Sequence, residues 1–313
     1  MRVLFCDNSF PEAREILKRH LPHDELASCN SSDIIDAVRD ADVIIPLMTR
    51  VDERVMNAGR FRLIQQWGAG LEGVDLEAAR ARRVWVANVP SLESGNAESV
   101  AEHAVLLTLA LLRQLPVALD NIRAGLLGVP MGHTLQGRTV CVFGLGAIGQ
   151  AIVGRLLPFG SRLIAVTRRP HPDVAAALQL SAIFPFERRN EALSQSDMVV
   201  LCLPLNSSTR SVIDAAALAA VPAGAYIVNV ARGALIDYAA LVGALVNGHL
   251  AGAALDVFWD EPINANDPLL TLPNVIATPH IAGVTDRSYA GIANVVAANI
   301  GRLRSGETPL HVH

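Results

Sequence analysis

Arg232, Glu261 and His280 each follow an apolar, strand-like run. Arg232 comes after Tyr226-Ile227-Val228-Asn229-Val230-Ala231. Glu261 comes after Leu255-Asp256-Val257-Phe258-Trp259-Asp260 and precedes Pro262. His280 comes after Val275-Ile276-Ala277-Thr278-Pro279. A guanidinium can clamp a carboxylate with two parallel N–H donors. A histidine exchanges protons near neutral pH. A carboxylate hydrogen-bonded to a histidine fixes its orientation and favours the charged form. Singly, each residue has a plainer use: an arginine at a helix cap, a solvated turn glutamate, a turn histidine. Their shared position is what matters, because ligands of open α/β sheets bind beyond the carboxyl ends of the strands.

These residues need a sheet, and one stretch says what else the sheet carries. Val140-Cys141-Val142-Phe143-Gly144-Leu145-Gly146-Ala147-Ile148-Gly149-Gln150-Ala151-Ile152 reads as a buried strand, a tight turn and a helix start. The three glycines allow a sharp turn, close approach to a pyrophosphate and close helix–strand packing. The helix N-terminus offers N–H groups and partial positive charge to phosphates.

The first ninety residues alternate strand-like runs with amphipathic segments. Strands are expected at Val3–Cys6, Glu25–Ser28, Val43–Pro46, Leu63–Gln66 and Val84–Ala87. Helices are expected near Glu12–His20, Asp33–Arg39, Glu53–Ala58 and Asp75–Arg82. Such alternation implies a parallel sheet covered on both faces. One long helix is expected from Asn96 to about Arg123, with Ser94 or Asn96 as cap, Pro116 as a kink, and Gly125–Pro130 as its end. The second α/β unit adds strands at Arg162–Thr167, Met198–Leu203, Tyr226–Val230, Gly252–Asp256 and Val275–Thr278. A last helix spans about Thr285–Arg304, and a polar tail with no specific role follows.

Composition narrows the classes further. The chain has 313 residues, enough for two domains, and 51% are hydrophobic. Mean hydropathy is +0.34, yet no uninterrupted apolar run reaches the ~20 residues a membrane span requires. The run Ala215–Ala231 is broken by Pro222, Gly224 and Asn229. A net charge of −4 without long charge runs argues against nucleic acid. The four cysteines have no metal-ligand spacing and read as reduced residues of a cytoplasmic protein, so no metal is expected. The sole lysine, Lys18, follows no glycine-rich loop.

The sequence resembles the D-isomer-specific 2-hydroxyacid dehydrogenases. The matching stretches are Gly68-Ala69-Gly70-Leu71-Glu72-Gly73-Val74-Asp75, Asn96-Ala97-Glu98-Ser99-Val100-Ala101-Glu102-His103, Gly144 to Gly149, Asn229-Val230-Ala231-Arg232-Gly233, Leu255-Asp256-Val257-Phe258 through Glu261-Pro262, and Thr278-Pro279-His280-Ile281-Ala282-Gly283. They run in family order across nearly the whole chain. The resemblance implies two doubly wound parallel-sheet α/β domains. A Rossmann cofactor domain, 96–285, is inserted in a flavodoxin-like substrate domain, 1–95 with 286–313. It also implies an active site in the cleft between them. Arg232 would bind the carboxylate and carbonyl of a 2-oxo acid. His280 would protonate the carbonyl oxygen, Glu261 would pair with His280, and the N–H groups of Ala69 and Gly70 would hold the substrate carboxylate. Asp256 would contact the nicotinamide carboxamide, and Leu203 and Pro204 would line the adenine site. Val100, Ala147, Ile148, Val230, Ala231 and Gly283 would complete the cofactor site. The long helix, more apolar than one domain needs, would form a homodimer.

Departures refine the expectation. An acidic residue about 20 positions past the glycines holds the ribose 2′-hydroxyl of NAD. Here the second strand ends Ala165-Val166-Thr167-Arg168-Arg169-Pro170, and Asp173 lies too far along. Two arginines suit a 2′-phosphate, so NADP(H) is the expected cofactor, with NAD(H) as the alternative. Formate dehydrogenases resemble the chain but use glutamine where Glu261 stands. Phosphite dehydrogenases carry lysine where Ala69 aligns. The arginine pair resembles that of NADP-dependent glyoxylate/hydroxypyruvate reductases, which implies a small 2-oxo acid, glyoxylate or hydroxypyruvate, as the substrate. Met48, Trp67, Leu71 and Trp259 are candidates for shaping its pocket, with packing as their plainer use, and His103 is expected to be a packing residue. The competing reading is a dinucleotide sensor or corepressor on the same scaffold.

Overall fold

Apolar runs become strands in two separate sheets, and every strand–strand pairing is parallel. The computed structural model describes residues 1–313 and divides them into two units, Met1–Asn96 with Thr285–His313, and Ala97–Val284.

The first unit runs β1 (Arg2–Phe5), α1 (Pro11–His20), β2 (Glu25–Ser28), α2 (Ile34–Ala37), β3 (Val43–Ile45), α3 (Glu53–Ala58), β4 (Leu63–Gln65), α4 (Leu76–Ala81) and β5 (Trp85–Ala87). Its sheet order is β2-β1-β3-β4-β5, the flavodoxin-like doubly wound order. β3 and β4 are buried throughout, as central parallel strands are. The helix expected over Asp33–Arg39 shrinks to α2, flanked by 3₁₀ turns at Ser31–Asp33 and Val38–Asp40.

The chain's last segment rejoins this unit. Its final helix, Asp286–Arg304, is capped by the Thr285 hydroxyl, which accepts the Ser288 N–H at 3.1 Å. Buried Asn299 donates to Gln65 Oε1 at 2.7 Å and accepts the Leu310 N–H at 2.6 Å. The tail is therefore structural, contrary to expectation. Val312 bridges Ala87, His313 N–H donates to the Val86 carbonyl, and His311 Nε2 lies 3.0 Å from Glu93. No local pattern announces this, because Val86, Ala87 and Glu93 lie more than 200 residues before the tail.

The second unit begins with α5 (Asn96–Leu112), whose first residue closes the first unit, and α6 (Leu115–Arg123). The single long helix expected here is two, bent by 59°. The break is at Gln114, which adopts a left-handed conformation, φ 47. Pro116 sits in the first turn of α6, where a missing N–H costs nothing. There follow β6 (Thr139–Phe143), α7 (Ala147–Leu156), β7 (Arg162–Thr167), α8 (Pro172–Ala177), β8 (Ala182–Pro185), α9 (Arg189–Leu193), β9 (Met198–Leu201), α10 (Ala215–Ala220), β10 (Ala225–Asn229), α11 (Tyr238–Val246), β11 (Leu250–Leu255) and β12 (Val275–Ala277). The final helix is thus α12. Sheet order is β12-β11-β10-β9-β6-β7-β8, with the order reversing at β6 as in the dinucleotide-binding arrangement. β8 escaped the sequence reading. It is a four-residue edge strand ending in Pro185, paired on one side only. No single helix of the chain is long and apolar enough to cross a membrane.

Candidate active site

Parallel pairing brings the ends of β6, β7, β9, β10, β11 and β12 to one edge of the second sheet. The glycine turn and all three chemistry-bearing side chains leave from that edge. Gly144 follows β6 with φ 100, which favours glycine. A Cβ on Gly149 would overlap the Gly144 carbonyl oxygen and lie 3.2 Å from Cys202 Sγ, so only glycine lets α7 start this close to the sheet. Gly146 caps α7, and a Cβ there would meet nothing within 4 Å. The space over Gly146 and the first turn, with Ala147 and Ile148, therefore lies open to a pyrophosphate approaching the helix N-terminus.

A cavity of about 200 Å³ adjoins this turn. Gly144, Leu145, Gly146, Thr167, Arg168, Leu203, Pro204 and Asn206 line it. Arg168 and Arg169 are exposed, and no carboxylate lines the cavity. Arg169 is not part of the lining. Its apolar walls, open glycine turn and basic rim fit a dinucleotide. Val100, Val230 and Ala231 are buried, Val100 and Val230 in the apolar cluster between α5 and the sheet and Ala231 in the cluster on its other face. Gly283 lies half-buried in the turn closed by Val284 N–H and the Ile281 carbonyl. Burial pushes the Cys202 thiol at the end of β9 up to about 12, so it remains a protonated packing group.

Arg232 is presented by a turn that Asn229 holds. The buried Asn229 side chain accepts the Ala231 N–H at 3.0 Å and donates to the Arg232 carbonyl at 2.8 Å. Arg232 Nη1 donates to the Ala231 carbonyl at 2.7 Å. Gly233 allows this turn to press on the next segment, because a Cβ there would overlap the Phe258 carbonyl. The Arg232 turn and the loop leading to Glu261 are thus in backbone contact.

Glu261 and His280 form a pair. His280 Nδ1 lies 2.6 Å from Glu261 Oε2, and Glu261 Oε1 accepts the Phe258 N–H at 2.8 Å. A carboxylate can only accept, so Nδ1 carries a proton and Nε2 is the nitrogen that can exchange one with a ligand. Both side chains are shielded, with 27% and 15% exposure. His280 is left-handed, φ 55, a conformation costing about 1–3 kcal/mol that surrounding structure must hold.

That structure centres on Asp256, which is wholly buried. Its carboxylate accepts the Thr278 hydroxyl at 2.6 Å, the Ile281 N–H at 2.9 Å and the Ala282 N–H at 2.8 Å. Burial pushes this carboxyl up, but hydrogen bonds from His103, Thr278, Ala282 and Ile281 outweigh it and hold the group below its ordinary range. The residue expected at the nicotinamide thus also holds the loop that carries His280. His103, expected only to pack, lies with Nε2 3.1 Å from Thr278 Oγ1. Thr278 and His103 act on partners that the linear sequence does not bring near, whereas Asn229 holds its own turn, two and three residues on.

Ala69 and Gly70 belong to the first unit, in the turn after β4. Asn88 Nδ2 donates to the Ala69 carbonyl at 2.8 Å, and the N–H groups of Ala69 and Gly70 donate to nothing in the chain. Of the four pocket candidates, Met48 is 42% exposed and Leu71 packs on the first unit's core. Trp67 stacks edge-on to Tyr289, and Trp259 is edge-on to Tyr238 with its indole N–H on the Ile236 carbonyl at 2.7 Å.

Fold and site together define an NAD(P)-dependent oxidoreductase. Residues 105–282 match the NAD-binding domain of the D-isomer specific 2-hydroxyacid dehydrogenases, and the chain belongs to that family. It is 34% identical over 321 residues to a glyoxylate reductase of Thermococcus gammatolerans, covering 99% of this chain and 90% of the relative. An NADPH-dependent glyoxylate/hydroxypyruvate reductase from Sinorhizobium meliloti, solved with NADP and malonate, superposes with a TM-score of 0.85. Its identity is 31%, over 100% of this chain and 96% of that one. A D-lactate dehydrogenase from Escherichia coli gives a TM-score of 0.86 at 26% identity, over 100% and 99%.

Proposed function

We propose that the protein is an NADPH-dependent reductase of small 2-oxo acids, glyoxylate or hydroxypyruvate, running in reverse as a D-2-hydroxyacid dehydrogenase. The observation that carries this reading is the Glu261–His280 pair at the same sheet edge as Arg232 and the glycine turn. In it, the second unit binds the cofactor and the first supplies substrate contacts. The Gly144–Gly149 turn and the first turn of α7 take the pyrophosphate, Leu203 and Pro204 the adenine, and Thr167, Arg168 and Arg169 the 2′-phosphate. The bound nicotinamide supplies the hydride.

The chain's own residues do the rest. Arg232 grips the substrate carboxylate and polarises the carbonyl, and the amides of Ala69 and Gly70 add donors to the carboxylate. His280 passes its Nε2 proton to the carbonyl oxygen as charge develops there. Glu261, on Nδ1, keeps the ring aimed and stabilises its charged form. Removing carboxylates from the Arg168 side lets a phosphate dianion sit where an acid would repel it.

The two similar glyoxylate reductases support the substrate class. A cytoplasmic location accords with four free cysteines. A homodimer through α5 and α6 accords with the exposed apolar residues on these helices and in the segment after α6. Leu106, Leu119, Ile122, Leu127 and Met131 are 54%, 48%, 66%, 94% and 84% exposed, and such patches mark interfaces. The deciding experiment is kcat/KM over a panel of 2-oxo acids with NADPH and with NADH. Turnover of glyoxylate or hydroxypyruvate with NADPH preferred supports the reading. An NADH preference rejects the cofactor assignment. Tight cofactor binding without any turnover rejects the enzyme and favours a sensor.

A further inference from the structure

Three consecutive amides converge on Asp256. His280 N–H donates to its main-chain carbonyl at 2.8 Å. Ile281 N–H reaches Oδ1 at 2.9 Å, and Ala282 N–H reaches Oδ2 at 2.8 Å. The loop that presents His280 is therefore wound around one buried aspartate. This winding is what holds His280 in a left-handed conformation that few non-glycine residues adopt.

His103 reaches the same aspartate from α5. Its Nε2 lies 3.1 Å from Thr278 Oγ1 and 3.5 Å from Asp256 Oδ1, and the His103 and Asp256 side chains are only 11% and 1% exposed. Thr278 has one hydroxyl proton and gives it to Asp256 at 2.6 Å. Only lone pairs remain on that oxygen for His103, so His103 Nε2 must be the donor. The imidazole thus delivers one N–H into the gap between Thr278 and Asp256, and joins α5 to the loop that carries the proton donor.

We infer that His103 is a positioning residue: its Nε2–H keeps the Thr278–Asp256 clamp closed on the 280–282 amides and so holds His280 in its working orientation. The inference rests on the reading of His280 as proton donor. A loosened clamp leaves cofactor and substrate binding intact but lets the imidazole wander from the carbonyl oxygen, and ångström-scale misplacement is enough to slow catalysis steeply.

The test compares H103L, H103Q, T278V and H280A in the full-length protein, with glyoxylate and NADPH. Glutamine can place an amide N–H close to the position of Nε2, whereas leucine cannot. The expected result for H103L is a fall in kcat of about tenfold or more, with KM and the NADPH Kd within about twofold of wild type. The solvent deuterium isotope effect on kcat should rise, because proton transfer becomes more limiting. H103Q should recover most of kcat. T278V should behave like H103L, and stands in for it should H103L fail to fold. Wild-type kcat in H103L, or in T278V where H103L does not fold, overturns the inference. So does an equal loss in H103L and H103Q with no change in isotope effect, since that is what simple packing would give. H280A separates the two readings. If H280A turns over normally, the proton-donor assignment itself fails. If H280A is inactive while H103L is normal, only the positioning role fails.

Discussion

Replacing Glu261 by glutamine poses a problem the site cannot solve neutrally. The carboxylate accepts twice, from the Phe258 N–H at 2.8 Å through Oε1 and from His280 Nδ1 at 2.6 Å through Oε2. A carboxamide has one acceptor and one donor group. If its oxygen stays on Phe258, its NH2 faces Nδ1. The histidine must then accept there, and its charged form, with N–H on both nitrogens, loses its partner. A hydrogen bond to a charged group is worth about 1.5–3 kcal/mol. At 1.36 kcal/mol per factor of ten, that is a fall in kcat of roughly 10- to 150-fold. If the amide flips instead, its NH2 opposes the Phe258 N–H. That shielded donor is then unpaired, at about 1–3 kcal/mol of stability. Steady-state oxidation of NADPH by glyoxylate, with the cofactor Kd and thermal melting measured alongside, distinguishes the two. The first arrangement lowers kcat at constant Tm, and the second lowers Tm by several degrees. E261Q with kcat and Tm both like wild type would refute the pairing argument altogether.

Other perturbations test separate links. Arg168→Ala should lower kcat/KM for NADPH by about tenfold or more while leaving NADH nearly unchanged, because a charge-assisted phosphate contact is lost; equal losses with both cofactors would contradict the assignment. Gly149→Ala must push α7 off the Gly144 carbonyl, so a loss of about 1–3 kcal/mol in denaturant unfolding is expected, together with weaker cofactor binding. The folded-state carboxyl of Asp256 lies below its ordinary range, so its contribution to stability is complete above the unfolded value, near 3.9. That contribution is lost as pH falls through the lower folded value. Asp256→Asn should be less stable at pH 7 and should lose less stability on acidification below about pH 4 than the wild type does, as urea melts across pH would show. Leu127→Asp, on a side chain 94% exposed, should favour monomer in sedimentation; an unchanged dimer would remove that surface from the interface.

What the sequence disclosed and what it withheld follow from range. The glycine turn, the buried strands and the start of α7 are written in consecutive residues, because each depends on backbone conformation and apolar periodicity over a few positions. The break at Gln114 was hidden by Pro116, a residue that breaks helices from within but is welcome in a first turn. β8 was hidden by being short and one-sided. Arg232, Glu261 and His280 could be picked out because each ends a strand, and parallel strands end at one edge. Asp256 shows where this reasoning stops. Asp256, just past β11, is expected at the nicotinamide from the family resemblance alone, and nothing in its own run announces that it also holds a loop. The amides that claim it come from 25 and 26 positions later, and the imidazole beside it from a helix more than 150 positions earlier. A carboxylate engaged in that way shapes catalysis by deciding where a neighbour points. Such a role is invisible to any reading that asks only which side chains could touch the substrate.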